Sequence, residues 1–239
     1  MAGRGSRFSQ TNFDVPKPLI NILDKPMIEW AVKSIGLEGN YIFITRQYEN
    51  SDYNKELNEI LFRLQPNCQI ITINHVTDGA ACTALLAEQY MWTNQPLLIS
   101  DCDLALFWNP QGFINFVNKF PHLDAVSLVY NTDRPQNSYV EIDENFHAKR
   151  YAEKQVISKW STNGVHWWRQ TNHFINAAKS MIKKNLRVNN EFYISPTFNE
   201  LIENGYKISV FPLEPGQHFS LGSPEDIETF KKAYHTPLL

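Results

Sequence analysis

The chain has 239 residues, enough for one domain with a full-sized core, and its 43% apolar and 20% charged content is that of a globular protein. A formal net charge of −3 with no basic cluster excludes binding to nucleic acid through bulk charge. Apolar runs of only a few residues offer no membrane span, and Cys68, Cys82 and Cys102 form no CxxC pair, which argues against zinc and against a disulfide scaffold; a soluble cytoplasmic protein is expected.

The chain opens MAGRGSRF. Gly3 and Gly5 let backbone N–H groups turn toward an anion, and Arg7 and Lys17, the latter in PKPL, add positive charge. A lone GxG equally describes a surface turn; the Arg and Lys make the set more specific. It is neither a Walker loop, which needs GK[ST], nor a Rossmann fingerprint, which needs a third glycine and a preceding strand.

PMIEWAVKSI (26–35) is predicted helical with Pro26 in its first turn, followed by strand YIFIT (41–45), helix NKELNEILFRL (54–64) and strand QIITI (69–73). Next, Gly79 permits close approach of a planar ligand, and Thr77 or Asp78 would cap a helix over 79–92. Asp78 and Gly79 are therefore candidate nucleotide contacts, although a plain helix start fits them too. Strand PLLIS (96–100) leads into Asp101-Cys102-Asp103, carboxylates placed to hold Mg2+ between substrate phosphates, with a capped turn as the plain alternative. Asp103 is favoured over Asp101 because the apolar run can extend one or two residues. PQGFINFVNKF (110–120), opening on Pro110, reads as a helix and DAVSLVY (124–130) as a buried strand.

Beyond residue 131 the pattern changes to short strands SYVEID (138–143) and NGVHWW (163–168), with helices near 171–184 and 194–204. Glu153, Lys154, Asn163, Gly164 and Glu191 lie here. Carboxylates and amides read sugar hydroxyls and a lysine meets a sugar phosphate, although each residue would also suit a solvated surface. The seven histidines show no HxxH or HExxH spacing, and no serine has a GxSxG context. Trp160, Trp167 and Trp168 read as packing. The alternation implies an α/β fold with a doubly wound, mostly parallel sheet, and a smaller lobe across the carboxyl ends of its strands.

MAGRGSRF, PKPLI, DKPMIEW, DGAACTALLA, DCD, YAEK, NGVHWW, NNEFY and LGSPEDI, in this order, resemble the sugar-phosphate nucleotidyltransferase family, its glucose-1-phosphate thymidylyltransferase-like and capsule-locus members above all. The resemblance implies a Rossmann-like nucleotidyltransferase domain over 1–239, with a nucleotide-binding half (1–130) and a sugar-phosphate-binding half (131–239). It implies an NTP and a sugar 1-phosphate as partners, Mg2+ as cofactor, and a nucleotide-sugar for surface polysaccharide as product. Gly3, Gly5 and Arg7 would bind the triphosphate, Lys17 the phosphates in transfer, Asp78 and Gly79 the base, and Asp103, with Asp101, the metal. Glu153, Lys154, Gly164 and Glu191 would line the sugar-phosphate site.

Ser220 stands where the family carries a second metal-binding aspartate, and no fused acetyltransferase is expected. In this family a first strand precedes the phosphate loop, so the expectation is that this strand is missing and that Met1 is internal to a longer natural chain. Phosphocholine, or another small phosphate monoester, is an alternative acceptor. A DxD glycosyltransferase is an alternative enzyme, and a non-catalytic nucleotide-binding domain is a third reading. Base, sugar and oligomeric state stay open.

Overall fold

The computed structural model describes Met1, Gly3 and residues 15–235. In chain order the elements are β1 (Asn21–Ile22), β2 (Lys25–Pro26), α1 (Met27–Ile35), β3 (Ile42–Arg46), α2 (Ser51–Leu64), β4 (Gln69–Ile73), α3 (Ala80–Leu85), β5 (Leu97–Ser100), β6 (Leu104–Leu106) and α4 (Pro110–Lys119). There follow β7 (Ala125–Asn131), β8 (Ser138–Ile142), β9 (Ala148–Glu153), β10 (Trp160–Trp168), α5 (Thr171–Lys183), α6 (Thr197–Glu203), β11 (Ile208–Pro212), β12 (His218–Ser220) and α7 (Pro224–His235). They form two compact units: Met1–Val76 with Asp101–Trp108 and Gly216–Leu239, and Thr77–Ser100 with Asn109–Pro215. No described helix is long and apolar enough to cross a membrane.

In the first unit α1 is apolar on two faces. Met27 and Trp30, three apart, pack with Ile20, Ile22, Ala105, Leu221 and Phe230, while Ile28 and Val32, four apart, pack with Leu19, Phe43, Leu57 and Leu61. Pro26 is the extended residue just before the helix, where its missing N–H costs nothing, and Gly36 closes the far end at φ 62°. Glu29 on this helix is buried, and Arg63 (2.8 Å) and Lys33 (2.7 Å) hold it ionised, the Arg63 hydrogen bond being the main reason its pKa is lowered. Strands β3 and β4 pair in parallel, and β6 pairs antiparallel with β12.

The second unit is built on a six-stranded sheet of order β11-β7-β10-β8-β9, with β5 also on β10. β5, β7, β8 and β11 run one way and β9 and β10 run the other, so the sheet is mixed, with β11 and β7 its parallel pair. Successive β10 side chains point to opposite faces. Trp167 meets Phe113 of α4, and Trp168 stacks on Phe198 of α6 and touches Phe174 of α5. Helices thus cover both faces, the doubly wound arrangement expected. Trp167 and Trp168 are core residues, as their spacing indicated.

Two local expectations need correction. The helix expected over 79–92 stops at Leu85, because Leu86 and Ala87 bond three residues back and tighten the last turn; a separate 3-10 turn covers Glu88–Tyr90. β5 also ends at Ser100 and does not run on toward Asp103.

His166 of β10 is buried, with Ser127 Oγ 3.1 Å from its Nδ1 and the Tyr151 hydroxyl 3.0 Å from the same serine. Burial pushes the imidazole down to about 3. The unfolded imidazole takes a proton below about pH 6.5, so stability present above that pH should fall at about 1.4 kcal/mol per pH unit as pH drops toward the folded value. Denaturant unfolding between about pH 7.5 and 4.5 should show this slope, and His166→Gln should flatten it. An equal slope in the variant would assign the effect to other groups.

Candidate functional site

In the first unit the residues expected to handle phosphate and metal come together in part. Lys17 opens a 3-10 turn whose next two residues, Pro18 and Leu19, are buried and fix its base. Its Nζ donates to Asp103 Oδ2, and the side chains are only 18% and 20% exposed, so this is more than a solvated surface pair. Asp103 is held from the other side, because its carbonyl accepts the Leu221 amide at 2.7 Å where β12 ends beside β6. The LGSPED motif thus supports the aspartate through its backbone.

Asp101 is exposed, two positions away on the same connector. Mg2+ takes one or two carboxylates and completes its octahedron with water and phosphate oxygens, so Asp101 and Asp103 fit it. Among the described residues no three His, Cys, Asp or Glu side chains group to make a cage supplied by protein alone. Ser220 donates to Asp226 Oδ2 at 2.9 Å, and Asp226 N donates to Ser223 Oγ at 3.2 Å. Gly3 is exposed, with open space around it; Gly5 and Arg7 lie outside the described residues.

In the second unit the structure gathers Asp78, Gly79, Glu153, Lys154 and Glu191. No side chain caps α3. The Phe192 carbonyl accepts the Ala81 amide (2.9 Å), and the Asp78 carbonyl accepts the Phe192 amide (2.7 Å). Gly79, at φ 136°, lies flat against that backbone: a Cβ there would fall 2.4 Å from the Phe192 nitrogen and oxygen. The glycine is required by this contact within the protein, a reason different from the ligand approach its sequence context suggested.

Glu153 ends β9 in a half-buried position, accepting from Ser138 Oγ and, at 2.8 Å, from Ser195 Oγ. Burial raises its pKa, and the two hydroxyls oppose that rise. Lys154 adopts φ 54°, a strained choice for a residue with a side chain, and its amide bonds the Asn137 carbonyl at 2.9 Å. Its Nζ lies 4.5 Å from the Tyr193 ring centroid and donates to the Tyr193 hydroxyl, which donates to Glu191.

Gly164 sits at φ 87° inside a register shift of β10 between Thr162 and His166. At this bulge Asn163 is 6% exposed; its Oδ1 accepts the Val165 amide (2.9 Å), and its Nδ2 has no hydrogen-bond partner among the described residues. A buried donor left unpaired is rare in a folded protein.

Tyr193, Ser138, Ser195 and Arg187 were not among the expected site residues. Tyr193 had a signal in sequence, two places after Glu191 in NNEFY; the serines had none, since Ser195 reaches Glu153 across 42 positions.

A family model described as nucleotidyl transferase matches residues 1–234. No curated protein matches the sequence. A solved nucleoside-diphosphate-sugar pyrophosphorylase from Vibrio cholerae RC9 superposes with a TM-score of 0.83 at 21% identity, covering 97% of this chain and 98% of that one. A UDP-glucose pyrophosphorylase solved with UDP-glucose gives 0.73 at 19% identity, covering 98% and 95%. These likenesses carry the Rossmann-like fold.

Gly79→Ala should destabilise the protein by about 2–4 kcal/mol, since the added methyl meets immobile backbone and the φ is unfavourable. Gly205→Ala is the control: it has a positive φ of 79° but open space around it, so only the conformational cost applies. Chemical denaturation should separate the two, and equal losses would mean that the Phe192 contact relaxes freely.

Proposed function

Because the chain belongs to the nucleotidyl transferase family, we propose that it moves a nucleotidyl group from an NTP to a sugar 1-phosphate. A phosphate oxygen of the sugar bonds to the α-phosphorus, the α–β bridging bond breaks, and pyrophosphate leaves with its electrons. The nucleophile is already an anion at neutral pH, so no general base is needed, and the protein's part is placement and charge neutralisation.

In this reading Lys17, with Arg7 on the sequence argument, neutralises charge on the phosphates. Asp101 and Asp103 would hold Mg2+, which supplies further charge neutralisation there. Gly3 and Gly5 belong to the triphosphate loop, and the Asp78–Gly79 loop faces the base, with Gly79 itself packed on Phe192. Glu153, Lys154, Gly164 and Glu191 form the acceptor site, with Asn163 and Tyr193 added. The nucleotide-sugar would serve surface polysaccharide synthesis in the cytoplasm.

The observation that carries the acceptor assignment is the unpaired, buried Asn163 amide at the Gly164 bulge, in the unit that also holds Glu153 and Lys154. A hydroxyl-rich acceptor supplies the missing partner. Phosphocholine fits less well, because the aromatic face it would need already carries the Lys154 ammonium. A DxD glycosyltransferase does not fit the family. The test is a screen of the common NTPs against a panel of sugar 1-phosphates, read as pyrophosphate release; no release from any pair rejects the reading.

Lys17→Ala should lower turnover by about 10²-fold, the scale of losing one preorganised charge, and should also lower stability because it breaks the largely buried pair with Asp103. Asp103→Asn should weaken the response to added Mg2+ more than Asp101→Asn, since an amide oxygen is the poorer ligand for a hard cation. Metal titrations of initial rate measure both, and unchanged metal response in both variants removes the assigned metal site.

Glu153→Gln and Glu191→Gln should raise KM for the sugar phosphate far more than KM for the NTP. Steady-state kinetics with each substrate varied in turn decides this, and equal rises for both substrates would make the two carboxylates structural.

A further inference from the structure

We infer that Arg187 is a positioning residue that couples nucleotide binding to acceptor binding, by clamping the Asp78–Gly79 loop to the hairpin that presents Glu191. The inference rests on the roles proposed above for those residues and adds a regulation of the same site.

The hairpin is small and tightly wound. Val188 and Glu191 exchange backbone hydrogen bonds (3.0 and 2.9 Å), and the two residues between them, Asn189 and Asn190, both have positive φ (48° and 64°). That is the geometry of a two-residue turn matched to the twist of its flanking strands, with asparagines tolerating the left-handed region. Glu191 leaves this turn and Tyr193 follows two residues on.

Arg187 makes four contacts around it. Nη1 donates to the Asn190 carbonyl (3.0 Å), Nε donates to Asn185 Oδ1 (2.8 Å), and the guanidinium lies 4.1 Å from the Phe192 ring centroid. The fourth contact leaves the hairpin: Nη2 donates to Asp78 Oδ2 (2.9 Å), 109 positions earlier in the chain. An ion pair as exposed as this one, with Asp78 64% accessible, stabilises a fold little by itself. Its significance is what it joins.

Arginine suits the position because its planar fork bonds in several directions while its face rests on an aromatic ring. Beneath the ion pair, the Asp78 carbonyl and the Ala81 amide already bond Phe192, so the two loops meet as a backbone unit with a side-chain latch. A ligand that orders either loop therefore orders the other, and the second ligand binds to a site already set. By linkage the effect is reciprocal.

The experiment uses the NTP and sugar 1-phosphate pair selected by pyrophosphate release, with the α,β-methylene analogue of that NTP to block turnover. Calorimetric titration gives the affinity for the analogue with and without saturating sugar 1-phosphate. In the wild type the sugar phosphate should tighten the analogue about tenfold, within the usual range of coupling. Arg187→Ala and Asp78→Asn should each bring that factor to within about twofold of unity, and the double variant should lose no more, as for two residues acting through one interaction. Arg187→Lys, which keeps the charge and loses the fork, should retain part of it.

A structural role alone would lower the thermal midpoint and leave the factor intact. Coupling at the wild-type level in folded Arg187→Ala overturns the proposal, as does a wild type that turns over with no coupling. Should Arg187→Ala fail to fold, Arg187→Lys and Asp78→Asn decide in the same way. Absence of pyrophosphate release from any pair rejects the transferase reading itself, and the clamp falls with it.

Discussion

One strand paired with three others organises the second unit. β10 pairs β5 and β7, and Ser161 near its start also meets β8. No straight strand satisfies all these registers, and the shift between Thr162 and His166 is where the conflict is resolved. Glycine at 164 makes the bend tolerable, and the bend leaves the Asn163 amide buried without a partner. The register of the sheet and the unpaired Asn163 amide therefore have one cause. The hairpin of β8 and β9, which ends at Glu153, is anchored on the early part of β10 and depends on the same bend.

The expected site residues are held by different means in the two units. In the first, a charged pair, Lys17 with Asp103, sits on backbone fixed by short bonds and buried neighbours. In the second, close backbone contact does the holding, with Gly79 pressed on Phe192 and side chains added above it. Glu153 is intermediate: buried enough to favour its proton, yet given two hydroxyl donors that favour its charge.

The parts of the fold readable in sequence were those with strong local signals. IFIT, QIITI, LLIS and AVSLVY form strands close to the expected limits, but only AVSLVY is buried over most of its length; QIITI keeps Gln69 and Thr72 exposed, where a buried strand was expected. β6 has three residues and β9, AKRYAE, is half polar, so neither announces itself. β6 exists through β12, more than a hundred positions away, and β9 through its hairpin with β8. The same distinction governs the site. Lys17, Asp103, Glu153 and Glu191 are expected from residue type and neighbourhood, whereas Arg187 lies in NLRVNN, which has no periodicity, and its ion-pair partner Asp78 is more than a hundred positions away. Likewise Gly79 looked like a surface for a ligand, and only the fold revealed that Phe192 occupies that space.

The Lys17–Asp103 pair has an electrostatic consequence for what can enter. Together the two side chains are neutral and largely withdrawn from water. A free cation that captured the aspartate would take it from the Lys17 ammonium, and a free phosphate that captured the lysine would take it from the Asp103 carboxylate; each breaks a largely buried ion pair to form a single new one. A ligand carrying both signs exchanges one neutral arrangement for another, with the ammonium passing to its anionic end and the carboxylate to its cationic end. If Lys17 and Asp103 serve phosphate and metal as proposed, the resting pair would favour a metal already riding on polyphosphate over either component arriving alone.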